Sequence, residues 1–335
     1  MKKTWKILKE LLAILLAAAL FWGATTQISK LLMPVRKDYG STWEQFGQEP
    51  ENSCDVLIAG SSIVYCDLIP ACIYKESGVA AYLIAGPEQT IPLSYYAIRE
   101  ACRTQRPKAV VLELNGMFFA QYQNYTRVNV GYMPWSANRL GATLYAAEAE
   151  ERLNLMVPIF AYHSQWIDVS PQQAAKHLHP QADPWAGYTL LTKAKPQSET
   201  YEGNFSTSKP SYKTALKYLK KISEFCDEND IRLLLYLAPS MRKVPAQTLA
   251  EMEADVGALH AEYRDFNREL DGLGIDDDAD WYDSVHFNFG GAEKFSKVFA
   301  EFLLASGATP GGNADSALWE SRVETYLKQK QASAS

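Results

Sequence analysis

The chain has 335 residues, of which 47% are hydrophobic and 21% charged, with a formal net charge of −6. This length holds one large domain or two modest ones with ample core, and the composition is that of a globular protein. The acidic balance excludes a general nucleic-acid binder, which carries a basic footprint.

The first element is an apolar helix. Residues 1–9 carry Lys2, Lys3, Lys6 and Lys9, whereas "LLAILLAAALFWGA", from Leu11 to Ala24, has no charge. The uncharged stretch continues to Ile28, and about 20 largely apolar residues cross a bilayer. Four lysines on the amino side predict a cytoplasmic amino end, with the bulk of the chain outside. A cleaved signal peptide is the competing reading. Phe21 and Trp22 stand where a small-x-small cleavage site would be expected, which favours an uncleaved signal anchor within residues 1–37. Residues 38–53 are polar with Gly and Pro and read as a tether between membrane and domain.

From Cys54 a rhythm begins: strand 55–59, helix 70–76, strand 80–84, helix 92–105 and strand 108–114. Residues 116–205 interrupt it. They are rich in aromatics, among them Phe118, Tyr132, Trp135, Tyr162 and Trp166, and are predicted to form a helical insertion. Such an insertion is either a subdomain with its own small core or a cap over the site. The rhythm resumes with helix 211–229, whose Leu216, Leu219, Ile222 and Phe225 recur at helical spacing. Strand 231–237 follows, then a helix over 290–305 with Phe295, Val298, Phe299 and Phe302 on one face. Residues 306–335 read as a C-terminal tail. Strands alternating with helices predict a parallel sheet covered on both sides, an α/β fold built as a three-layer α/β/α sandwich over 54–305.

Sites in open α/β sheets form beyond the carboxyl ends of the strands. After the first strand comes Gly60-Ser61-Ser62, after the second Gly86, Glu88 and Gln89, and after the third Asn115 and Gly116. Close to the C-terminus, "DWYDSVHFNFGG" sets Asp283 and His286 just ahead of the last predicted helix. Together these residue types suit acyl transfer. A serine hydroxyl attacks well only when a neighbouring base takes its proton. Ser62 is the candidate nucleophile, His286 the base and Asp283 the acid that orients it. The oxyanion candidates are the Ser62 and Gly86 backbone N–H groups and the Asn115 side-chain amide; one such donor is worth about 3–4 kcal/mol.

This arrangement resembles the SGNH, or GDSL-like, hydrolases, whose name lists the Ser, Gly, Asn and His of four blocks. Here the blocks are "IAGSSIVY", Gly86, Asn115 and "DSVH", and the likeness covers roughly residues 54–115 and 211–305. It implies a flavodoxin-like sandwich with Ser62, Asp283 and His286 as the triad. Ser61 stands where the family usually has Asp, and only Asn115 remains of the usual Gly-x-Asn-Asp. The first departure is shared by membrane-linked envelope relatives, the D-alanyl-lipoteichoic acid and alginate acetylation proteins. Those work beside a multipass membrane-bound O-acyltransferase. The resemblance therefore implies acyl, chiefly acetyl, transfer to a cell-envelope polysaccharide, or removal of such esters. The alternative is a non-catalytic scaffold for the acyltransferase. The chemistry requires no metal and no bound organic cofactor.

Other features read as structural. Five cysteines lack metal spacing, and Cys66 and Cys102 fit small core positions. His177 and His179 have no evident third ligand. Asp276, Asp278 and Asp280 alternate without a calcium loop's glycine and distal glutamate, which suits an exposed acidic turn. His163 and Arg139 fall in the insertion, within reach of a substrate if it caps the site.

Overall fold

Four short, mostly aliphatic strands and a fifth, more polar one form a parallel sheet in a computed structural model. It describes residues 2–34, 43–120, 123–167 and 169–334. The strands are β1 (Val56–Gly60), β2 (Ala81–Ala85), β3 (Ala109–Glu113), β4 (Arg232–Leu237) and β5 (Glu262–Asp265). Their spatial order is β2-β1-β3-β4-β5. Every residue of β1, β2 and β3 is buried, as continuous aliphatic runs require when helices cover both faces.

The helices of the first half are α1 (Lys2–Leu32), α2 (Trp43–Phe46), α3 (Ser62–Asp67), α4 (Pro70–Ser77) and α5 (Ile91–Ala101). The insertion supplies α6 (Gln123–Gly131), α7 (Ala137–Tyr145), α8 (Ala149–Met156), α9 (Ile159–Tyr162) and α10 (Pro171–Leu178). Then come α11 (Pro210–Glu228), α12 (Ala246–Gly257), α13 (Phe289–Ala305) and α14 (Ser316–Ala334). Strand side chains alternate between faces. Leu57, Val110, Leu112 and Leu235 pack with α5 and α11, whereas Val56, Ile58, Val111 and Tyr236 pack with α3, α4 and α13.

Several boundaries differ from the sequence expectation. The insertion is helical only as far as Leu178. Beyond it an irregular strap covers the free edge of β2, where the Leu83 N–H donates to the Ala186 carbonyl at 3.0 Å. A covered edge removes a template for unwanted strand pairing. The expected tail is instead α14, packed on α4, with Trp319 stacked on Tyr74 at 4.9 Å between centroids. Arg322 of α14 is 1% exposed and forms a buried ion pair with Glu49. The tether expected over 38–53 lies partly outside the described residues. Its remainder belongs to the domain, with Phe46 against Tyr82 at 5.0 Å.

Helix α1 is long and apolar enough to cross a membrane: residues 3–32 have a mean hydropathy of 1.9 in their most apolar window, none of it buried. At 1.5 Å per residue its length is roughly 46 Å, against about 30 Å of hydrocarbon. Its C-terminal end is clasped by His177, whose Nδ1 and Nε2 lie 2.8 Å from Glu44 Oε2 and from the Met33 carbonyl. Burial alone would lower the His177 pKa, but the Glu44 carboxylate outweighs it and holds it above the usual histidine value. A raised folded pKa gives stability that is complete below about pH 6.5 and lost as pH rises through the folded value. His177→Ala is expected to remove that alkaline loss from melting curves in detergent; an unchanged pH profile would contradict it.

Candidate active site

The turn after β1 is built around a missing side chain. Gly60 has φ +155°, and a Cβ there would lie 2.5 Å from Val64 Cγ2 and 2.9 Å from Glu113 Cβ. Glycine therefore lets the chain pass directly from β1 into α3. Ser61 is the N-cap of α3, its Oγ accepting the Ile63 N–H at 3.4 Å. Ser62 opens the helix, where its own N–H has no intrahelical acceptor. The two adjacent serines thus divide the work: one closes the helix end, the other offers a hydroxyl above the sheet.

The second half of the site is the loop before α13. Trp281 and Phe287 form an antiparallel bridge, and the Tyr282 N–H donates to the His286 carbonyl at 2.9 Å. Asp283 Oδ1 accepts the Val285 and His286 N–H groups at 2.8 and 3.0 Å. The same carboxylate meets His286 Nδ1 at 2.9–3.0 Å. Burial would raise the Asp283 pKa, but the His286 ring and these backbone donors together hold it below the usual carboxylate value. With Nδ1–H donating to Asp283, His286 Nε2 is left to accept the Ser62 hydroxyl, 2.8 Å away. The structure therefore brings Ser62, His286 and Asp283 into one hydrogen-bonded chain.

Asp67, at the far end of α3, ties the two halves together. Its Oδ1 accepts the Phe287 N–H at 2.8 Å, so the helix that starts with Ser62 is bonded to the residue after His286. The carboxyl is fully buried, and burial pushes its pKa well above the usual range. A lone acid inside the apolar run "SIVYCDLIP" was the signal that could have found it.

The oxyanion candidates fare differently. The Ser62 N–H is free of the helix ladder. Gly86 is a correction: its N–H donates to the Gly60 carbonyl at 3.2 Å and so is not a free oxyanion donor. Its lack of a side chain answers to something else, because a Cβ would meet Asn129 Oδ1 of α6 at 2.0 Å. Asn115 sits in the 3-10 turn Leu114–Phe118 after β3, with one amide hydrogen given to Glu113 Oε1 at 2.7 Å.

Glu113 is 0% exposed, and burial pushes its pKa up to about 7 despite the Asn115 hydrogen bonds. The folded chain holds this proton more tightly than the unfolded one, so stability falls as pH rises from about 4.5 through 7. Glu113→Gln keeps an acceptor for Asn115 and is expected to cancel about 3 kcal/mol of that loss between pH 4.5 and 8. Parallel stability curves for the two proteins in detergent would refute this. A charged residue closing a buried aliphatic strand was the sequence signal for Glu113.

The rim adds polar groups that sequence reading missed. Tyr201 Oη lies 3.1 Å from Ser284 Oγ, and the Met241 N–H donates to the Ser284 carbonyl at 3.0 Å. Arg242, beside Met241, faces Glu88 and Glu113 electrostatically. Tyr201 and Arg242 come from a two-residue parallel pairing, Tyr201–Glu202 with Arg242–Lys243, too short to leave a pattern.

The remaining sequence candidates take no part in the Ser62–His286–Asp283 chain. Arg139 is 4% exposed and donates to the Gly131, Met133 and Leu155 carbonyls, stapling the insertion. His163 and His179 are exposed, and His177 forms the clasp on α1. Asp276 and Asp278 lie on an exposed turn as expected, but Asp280 is buried and pairs with Lys294 at 2.6 Å. Cys54, Cys102 and Cys226 thiols are pushed up to about 12 by burial, which disfavours a thiolate nucleophile. Among the described residues no group of three His, Cys, Asp or Glu side chains is placed to hold a metal ion. No protein-family model matches the chain, and no curated protein matches it in sequence.

Proposed function

We propose that this chain is a membrane-anchored serine acyl-transfer enzyme of the SGNH kind, acting outside the cytoplasm on acyl or acetyl esters of envelope polysaccharide. One observation carries the reading: the hydrogen-bond chain from Ser62 through His286 to Asp283, closed between residues 224 apart in sequence. Ser62 Oγ attacks the ester carbonyl carbon while its proton passes to His286 Nε2. Asp283 holds the imidazolium, which returns the proton to the departing alkoxide and leaves the acyl group on Ser62. A sugar hydroxyl or water then yields its proton to His286 and attacks the acyl carbon, and the imidazolium hands that proton to the departing Ser62 Oγ as the acyl–Ser62 bond breaks.

The strand order β2-β1-β3-β4-β5 supports the flavodoxin-like fold that the family resemblance implies, with the site beyond the strand ends. The lysines ahead of α1 support a cytoplasmic amino end. An anchored domain beside the bilayer suits work with a multipass membrane-bound O-acyltransferase as partner.

The test is direct. The full chain in detergent is incubated with an activated acetyl ester, and the peptide holding Ser62 is expected to carry the acetyl group. Added oligosaccharide should take up that group if transfer is the natural step, and water alone if hydrolysis is. A folded chain with neither adduct nor turnover would overturn the reading. The scaffold alternative is favoured by one observation: the Gly86 N–H and one Asn115 amide hydrogen are already engaged. In that case Ser62→Ala would support the partner's acetylation as well as the wild type does.

A further inference from the structure

Outside α1, most of the large apolar side chains exposed among the described residues lie between Leu140 and Leu178. Leu153, Phe160, Trp166 and Ile167 are 61, 54, 68 and 73% exposed. They sit on α8, α9 and the 3-10 turn His163–Ile167, and α1 packs against α9, that turn and α10. Trp22 of α1 touches the insertion directly. Its Nε1–H points to the Met156 carbonyl at 3.5 Å, and its ring lies 4.7 Å from that of Trp135.

The depth of that contact follows from the charges on α1. Glu10 is the last charged residue before the apolar run and Lys30 the next one after it. About 20 residues of helix are needed to cross some 30 Å of hydrocarbon, which uses nearly all of the interval. Trp22 comes eight residues before Lys30, or about 12 Å at 1.5 Å per residue. The insertion thus meets α1 within the thickness of the outer leaflet rather than above it. Tryptophan and neighbouring aliphatic side chains are the residues favoured at that depth. The Thr25 and Thr26 hydroxyls, which donate to the Phe21 and Trp22 carbonyls, are satisfied there without water.

We propose that the edge of the insertion bearing Leu153, Phe160, Trp166 and Ile167 is seated in the lipid of the outer leaflet. The domain is then held by a lipid-immersed foot as well as by α1, which fixes the height and tilt of the Ser62 site over the membrane. This rests on α1 spanning the bilayer, and its test separates the two.

The full chain is placed in phosphatidylcholine vesicles with an environment-sensitive fluorophore on Ile167→Cys, on Leu304→Cys of α13, or on Leu15→Cys within α1. Lipids carrying a shallow nitroxide quencher are expected to quench the probes at 15 and 167 and to spare the one at 304. Quenching at 15 with none at 167 would overturn the foot and leave the anchor standing. No quenching at 15 would overturn both. A probe at 167 shielded from aqueous iodide yet untouched by the lipid quencher would assign the patch to a protein neighbour and reject the proposal.

Discussion

Ser62→Ala is expected to lower ester turnover by about four to six powers of ten while leaving the fold intact. Removing the attacking oxygen of a serine triad costs about that much, since the rest of the machinery then has nothing to activate. The fold survives because the Ser62 side chain is not the cap of α3. Ser61 caps it, and Ser62 is half-buried at the mouth of the site. The neighbouring variant makes the contrast: Ser61→Ala removes the cap and is expected to cost about 1 kcal/mol of stability while keeping substantial turnover. Paired melting curves and ester assays on the two variants check both halves. Comparable turnover losses from the two would mean that the hydroxyl at 62 has no special role.

Asp283→Asn is expected to lower turnover by roughly ten-thousand-fold, almost as much as losing the nucleophile. Its carboxylate accepts from His286 Nδ1 and from two backbone N–H groups. Asparagine keeps one acceptor for the backbone but turns an N–H toward the ring. The imidazole must then present Nδ1 as an acceptor, which puts its proton on Nε2 and removes the acceptor for the Ser62 hydroxyl. The imidazolium formed during attack also loses its counter-charge. Steady-state kinetics across pH, with circular dichroism to verify folding, measure this. A variant within tenfold of wild type would show that the His286–Asp283 contact is structural only.

Much of the sheet was legible because a strand buried on both faces is a continuous aliphatic run between turn residues. Strands expected at 55–59, 80–84, 108–114 and 231–237 match β1 to β4 within about a residue at each end. The fifth strand, "EYRD", carries no such run and was invisible. The last helix was missed for a subtler reason. Trp319, Arg322 and Tyr326 recur at helical spacing and are all buried, but an arginine in an apolar stripe breaks the pattern. Its partner Glu49 lies 273 residues away, where no local rule can find it.

The site was legible in position and not in hydrogen-bond direction. The acid and histidine just ahead of the last predicted helix gave Asp283 and His286, and looking just past the strand ends led to Ser62, which the fold brings onto His286 across 224 residues. The same rule led to Gly86 and Asn115, but residue type does not reveal where an N–H points. Gly86 continues the β1–β2 ladder and Asn115 turns to Glu113. Asp67 and Glu113 hold the site from below, and their role depends on burial that only the folded chain supplies.

An electrophile that reacts only with an activated serine tests the Ser62–His286 pairing most directly. The full chain in detergent is treated with a fluorophosphonate probe, and labelled peptides are identified by mass spectrometry. Labelling is expected on Ser62 alone, abolished in Ser62→Ala and slowed severely in His286→Ala. Unchanged labelling in His286→Ala, or none on Ser62 in the folded wild type, would contradict a serine nucleophile driven by that imidazole.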